Sequence, residues 1–176
     1  RGWLRLNLPT PYLPFADGFP TPSGKLEFNS PQAAAMGLDP IPGYTPPCEV
    51  TDVALTERYP LALVAPASHY FLNSIFANMP EMLERAGPRR VTLNPADAMA
   101  RGIAAGDIGQ IFNDRGSFEA EIMVNDIVQP GVAASIKGYW TKIMGETGNL
   151  NLTVAERDSD LAGGDVFHDN RVEVKL

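Results

Sequence analysis

The 176-residue sequence contains a single cysteine, Cys48, and only two histidines, His69 and His168. An internal disulfide needs a second cysteine, and a multi-cysteine zinc or iron–sulfur centre needs several, so this chain alone builds neither. With so few imidazoles, no protein-ligated metal is expected. No run approaches the 18 apolar residues of a membrane-spanning helix, so no membrane insertion is expected. Surplus positive charge is missing too. Fourteen Lys and Arg against 21 Asp and Glu leave a net charge of −7, without the basic field that a nucleic-acid partner requires. The chain opens on Arg1 with no basic-then-apolar signal segment, so the expectation is a piece of a longer protein whose targeting information lies outside it.

Catalytic constellations are lacking as well. The two histidines lie 99 positions apart and no G-x-S-x-G nucleophile motif accompanies either, so His69 is not read as a general base and no catalytic residue is assigned. Asp97, Asp107 and Asp114 read as helix N-terminal charge and turn chemistry, not as a carboxylate cluster. The stretch GFPTPSGKLEF at residues 18–28 is not a phosphate loop. Five residues separate Gly18 from Gly24, Leu26 replaces the metal-binding hydroxyl, and Pro20 and Pro22 remove two backbone donors.

What is abundant is glycine and proline, sixteen of each, which favours many turns between short strands. The expected class is mainly β with short helices. Residues 1–57 hold most of the prolines and little periodicity, and read as an extended Pro-rich arm with a lead-in strand at 25–29; residues 58–176 read as the barrel domain. In the second part, PLALVAPAS reads as a buried strand, and a helix runs from Pro80 to a stop at Gly87. VTLNPADAMARGI reads as a strand followed by a helix with Asn94 as N-cap and Pro95 at its first position. A hairpin follows, turning at residues 113–116, and then a small-residue strand after Pro130 and Gly131. Val172, Val174 and Leu176 share one face of a last strand. Five or six strands with small helices suggest a closed or partly closed barrel.

A ligand is expected beyond the first barrel strand, in the loop made by Val64, Ala65, Pro66, Ala67, Ser68, His69, Tyr70, Phe71 and Leu72, continued by Asn73 and Ser74. Its hydroxyl, imidazole and amide groups can donate to a polar ligand, and suit helix capping and loop ordering equally. Asn113 and Arg115 in FNDRG offer donors beside a glycine; the alternative is an ordinary surface turn.

Six motifs taken in order resemble the C-terminal cofactor-binding domain of dimethyl sulfoxide reductase-type molybdopterin oxidoreductases. They are TPSGKLEF (21–28), SHYFLNSIFAN (68–78), LNPADAMARGIAAGD (93–107), FNDRG (112–116), GNLNLT (148–153) and FHDNRVEV (167–174). The resemblance implies a double-psi β-barrel that holds part of a bis-molybdopterin guanine dinucleotide carrying Mo or W. The metal ligand, and any iron–sulfur cluster, would lie on other domains. It adds Asn149, Asn151, His168 and Asp169 to the cofactor contacts and puts Trp140 near a substrate funnel. The implied partners are the remaining domains of the same catalytic subunit and electron-transfer subunits, with the barrel by itself inactive and the cytoplasm favoured over the periplasm. The competing reading is a free-standing β-barrel module that docks a partner chain.

Overall fold

The computed structural model describes residues 2, 7–8, 11–161 and 163–176. Contacts divide the chain into two units, Arg1–Thr45 and Pro46–Leu176.

In the first unit, Ser30 caps helix α1 (Pro31–Ala35), its hydroxyl accepting the Ala33 N–H at 3.2 Å. The strand expected at residues 25–29 is not formed. Thr21 donates its hydroxyl to the Lys25 carbonyl at 2.6 Å, and the Glu27 carboxylate accepts the Ser23 N–H at 2.9 Å. These local side-chain bonds offer the backbone an alternative to strand pairing. Gly24, at φ 67°, closes the turn, its carbonyl accepting the Phe19 N–H at 3.1 Å.

The second unit begins with two short helices, α2 (Cys48–Thr51) and α3 (Val53–Arg58), which the proline count had suggested were part of the arm. Asp52 ends the first and caps the second, accepting the Leu55 N–H at 2.9 Å. Then come β1 (Leu61–Val64), α4 (Pro80–Ala86), β2 (Arg90–Leu93), α5 (Pro95–Ala100), β3 (Ile108–Phe112), β4 (Ser117–Val124), β5 (Val132–Ser135), α6 (Thr141–Met144) and β6 (Arg171–Lys175). Asn94 and Pro95 start α5 as their chemistry dictates: the Asn94 carbonyl oxygen accepts the Ala96 N–H at 3.0 Å.

The strands close into a barrel in the order β1-β5-β2-β4-β3-β6, with β6 returning to β1. Closure leaves no strand edge for pairing with another chain. Strand alternation puts Leu61, Leu63, Val91, Leu93, Ile111, Phe118, Ile122 and Val172 inside, each at most 1 % exposed. Burial of each such side chain contributes about 1.5–3 kcal/mol. Gly109 of β3 faces the same core, where a Cβ would come within 2.9 Å of Ile122 Cδ1. Among the described residues no helix is long and apolar enough to cross a membrane.

Candidate functional site

Strands β1 and β5 are parallel neighbours, so the chain leaves both at the same end of the barrel. The two departing loops are fastened together there. The Lys137 N–H donates to the Pro66 carbonyl at 3.1 Å, and the Trp140 indole N–H donates to the Ser74 carbonyl at 2.7 Å. Phe71 meets Tyr139 edge to face at 5.3 Å, and with Ala77 they form a second small core. Gly138, at φ 108°, sits so close to the Asn73 carbonyl that any Cβ would collide with it.

A third wall comes from residues 149–156, held in place by Arg89. That side chain belongs to a residue only 4 % exposed. Its Nε donates to the Glu119 carbonyl at 2.7 Å, Nη1 to the Gly148 carbonyl at 2.6 Å, and Nη2 to the Thr147 carbonyl and hydroxyl at 3.1 and 3.0 Å. Burial pulls its pKa below the ordinary guanidinium value, with Glu119 opposing the shift. Beyond this anchor, Asn149 caps a 3-10 turn at Leu150–Thr153. Its Oδ1 accepts the Asn151 N–H at 2.8 Å and its Nδ2 donates to the Thr141 hydroxyl at 2.5 Å. Among the described residues, the Asn151 carboxamide itself has no hydrogen-bond partner.

Together these segments enclose a cleft with two adjacent lobes that share Ser74, Lys137, Gly138, Leu150 and Asn151. The smaller, of about 180 Å³, is also lined by Arg89, Trp140 and Asn149. The larger, of about 480 Å³, adds Ala65, Asn73, Glu156, Asp165 and Phe167. Lys137 and Arg89 are the ionisable groups of the small lobe apart from the Tyr139 phenol, whereas the larger carries Lys137 with two carboxylates. The first environment suits phosphate oxygens; the second suits a heterocycle edge that presents both donors and acceptors. The Lys137 ammonium lies over the Phe167 ring at 4.1 Å. His168, tilted against that ring, accepts the Ala65 N–H at its Nδ1 at 3.3 Å. Burial first, and then Lys137, lower its pKa from the usual 6.5.

The cleft therefore gathers Ala65, Asn73, Ser74, Trp140, Asn149 and Asn151 from the expected set, with His168 beside it. It does not gather the remainder. Val64 ends β1, paired with Ala134, and Pro66 lines a separate apolar groove. Ala67 and His69 are exposed, the Ser68 hydroxyl accepts the Tyr70 N–H at 3.0 Å, Phe71 is buried, and Leu72 bridges to Ile75.

Asn113, Arg115 and Asp169 are engaged inside the barrel unit. The Asn113 amide lies 2.8 Å from the Thr153 carbonyl and 2.9 Å from that of Arg171. Arg115 donates to the Thr153 carbonyl at 2.7 Å and pairs at 2.8 Å with Glu49, which is 6 % exposed. Asp169 accepts the N–H groups of Cys48 and Glu49, both at 2.9 Å, and pairs with Arg157. A tight turn packed against β6 leaves these groups little water, so they bond to one another.

Arg89 and Lys137 were absent from the expected set, although period two marks both. Arg89 shares parity with inward Val91 and Leu93, and Lys137 with buried Ala133 and Ser135.

The family model of the molydopterin dinucleotide binding domain matches residues 61–171, which take in β1 to β5 and both lobes of the cleft. The chain belongs to that family. Its relatives include the dimethyl sulfoxide reductase DmsA of Escherichia coli, 35 % identical over 92 % of this chain and 22 % of that protein. The probable oxidoreductase YoaE of Bacillus subtilis is 34 % identical over 92 % of this chain and 23 % of its own length. The dinucleotide-binding chain thus spans about a fifth of the curated relatives it matches. Its fold is shared with acetylene hydratase from Pelobacter acetylenicus, at a TM-score of 0.75 and 20 % identity, covering 90 % of this chain and 24 % of that one.

Proposed function

We propose that this domain is one wall of a clamp that holds a molybdopterin guanine dinucleotide in a molybdenum or tungsten oxidoreductase. The observation that carries the proposal is the cleft at the shared end of β1 and β5, with its cationic small lobe and carboxamide-lined rim. The donor set fits the group. Lys137, which lines both lobes, would hold the pyrophosphate. Asn73, Ser74 and Asn151 would match the amide-like edges of pterin or guanine, and Glu156 and Asp165 would accept from their amino groups. When bound, the cofactor supplies two-electron or oxygen-atom transfer at its metal, while these residues bind and orient it and keep water from its tail.

The other wall of the clamp would be the remaining domains of the same subunit, which also carry the metal ligand and any iron–sulfur cluster and meet electron-transfer subunits. The loop after β1 supports this reading, because Tyr70, Leu72, Ile75 and Phe76 are all more than 40 % exposed. Phe76, at φ 72°, is held in a conformation that costs an aromatic residue strain, as is typical of functional loops. The parallel pairs β1/β5 and β2/β4 support the double-psi form of the barrel. Trp140 at the cleft edge suits a place beside the substrate funnel. A free-standing docking module is not favoured, since the relatives carry this domain within chains several times longer.

The test is to purify the full-length subunit that carries this domain and assay its metal and nucleotide. Near-stoichiometric molybdenum or tungsten with guanine nucleotide is expected, and the absence of both overturns the proposal.

A further inference from the structure

Arg89 is a charged group in the barrel unit with nearly all its surface removed from water and, among the described residues, no carboxylate within ion-pairing distance, the Glu119 charge acting on it from farther away. Burying a cation without a counter-ion is costly unless its donors are well met. Here they are met by three carbonyls and a hydroxyl, from Glu119, Thr147 and Gly148. Two of those residues immediately precede the cleft wall. Gly148, at φ 71°, packs so close to the Ser117 carbonyl that no side chain fits there, and Asn149 then caps the turn that presents Asn151. A line of bonds therefore runs from the guanidinium to the Thr147 and Gly148 carbonyls, through the Asn149 cap, to the unengaged carboxamide of Asn151.

We infer that Arg89 is a positioning residue for the dinucleotide: its planar fork locks the turn at residues 147–148, so that Asn151 is presented to the cofactor in a single orientation. This rests on the reading of the cleft as the dinucleotide site. Position, not charge alone, is the point. A guanidinium satisfies several acceptors in one plane, whereas an ammonium at the end of a flexible stem holds one or two and fixes no plane. Lysine at this position keeps the positive charge beneath the small lobe and loses the lock.

The test uses the full-length subunit with its resident cofactor, prepared as Arg89→Lys, Arg89→Met, Thr147→Val and Asn151→Ala. The readout is the rate at which nucleotide and metal leave during dialysis, with the thermal midpoint recorded beside it. Arg89→Lys and Arg89→Met should both release cofactor at least about tenfold faster than the parent protein. Thr147→Val, which removes the hydroxyl that accepts from Arg89 and donates to the Met144 carbonyl, should give an increase of about threefold with the fold intact, so the idea remains testable even where the arginine variants do not fold. Full retention in Arg89→Lys would show that charge alone matters and overturn the positioning role, as would unchanged release in Thr147→Val together with unchanged release in Arg89→Met. Asn151→Ala separates the two levels of the claim. Faster release there with normal release in the Arg89 variants sinks only the positioning role, while normal release in Asn151→Ala sinks the reading of the cleft on which it stands.

Discussion

Two asparagine-bearing turns lie back to back in the barrel unit and serve opposite ends. In the turn at residues 113–116, Asn113 is 9 % exposed and its amide reaches the carbonyls of Thr153 and Arg171. In the segment at residues 148–151, Asn149 and Asn151 border the cleft and only the first is engaged locally. Glycines interlock the pair: a Cβ on Gly116 would come within 2.8 Å of the Leu152 carbonyl, and one on Gly148 within 2.6 Å of that of Ser117. Similar turn chemistry therefore becomes a structural tie on one side and the rim of an open cleft on the other, according to which side water reaches.

The harshest way to break this arrangement is Gly148→Ala. Its φ of 71° and ψ of −167° lie where essentially only glycine is comfortable, and the added methyl meets backbone. Strain and overpacking together should cost about 4 kcal/mol, read as a lowered urea midpoint, with the cleft disturbed as well. A midpoint unchanged by this substitution would show that the two turns are not locked.

Asn113→Ala tests the inward turn alone. The substitution strips the Arg171 carbonyl of its amide donor and leaves the Thr153 carbonyl with Arg115 alone; it should cost about 2 kcal/mol, with cofactor content falling only as far as unfolding carries it. The outward turn should behave in reverse. Asn149→Ala removes a cap and should cost about 1 kcal/mol, whereas Asn151→Ala should leave the midpoint within about 0.5 kcal/mol while it weakens retention of the cofactor. Equal losses of stability in Asn113→Ala and Asn151→Ala would erase the contrast.

The smallest expected effect is a pH dependence at the cleft edge. His168 has its pKa lowered in the folded protein, so just below 6.5 the unfolded chain binds more protons than the folded one. Stability should therefore rise with pH up to about 6.5 and level off above it. His168→Gln should flatten that rise slightly; a slope of opposite sign would contradict it.

Much of the barrel was legible beforehand because strand alternation and capping are local. Asn94 and Pro95 announce α5, and Val172 with Val174 announces a buried face, whatever the rest of the chain does. The strand expected at 25–29 fails for a related reason: TPSGKLEF resembles a strand in pattern, yet its own hydroxyl and carboxylate fold it back on itself. For the site, the loop after β1 and the asparagines at 149 and 151 were visible as polar groups in a familiar order. Nothing local separated them from Asn113 and Arg115, which have the same chemistry.

By itself the sequence determined the mainly β character, the starts and stops of α4 and α5, the inward faces of several strands and membership of a cofactor-binding family, because each depends on neighbours a few residues away or on motifs in order. Only the tertiary structure decided which polar groups face water. Parallel β1 and β5 bring two distant loops to one end, Arg89 ties a third segment to β4, and β6 closes over Asn113. A donor in reach of a buried carbonyl bonds to it, and only one left facing solvent remains available for a ligand.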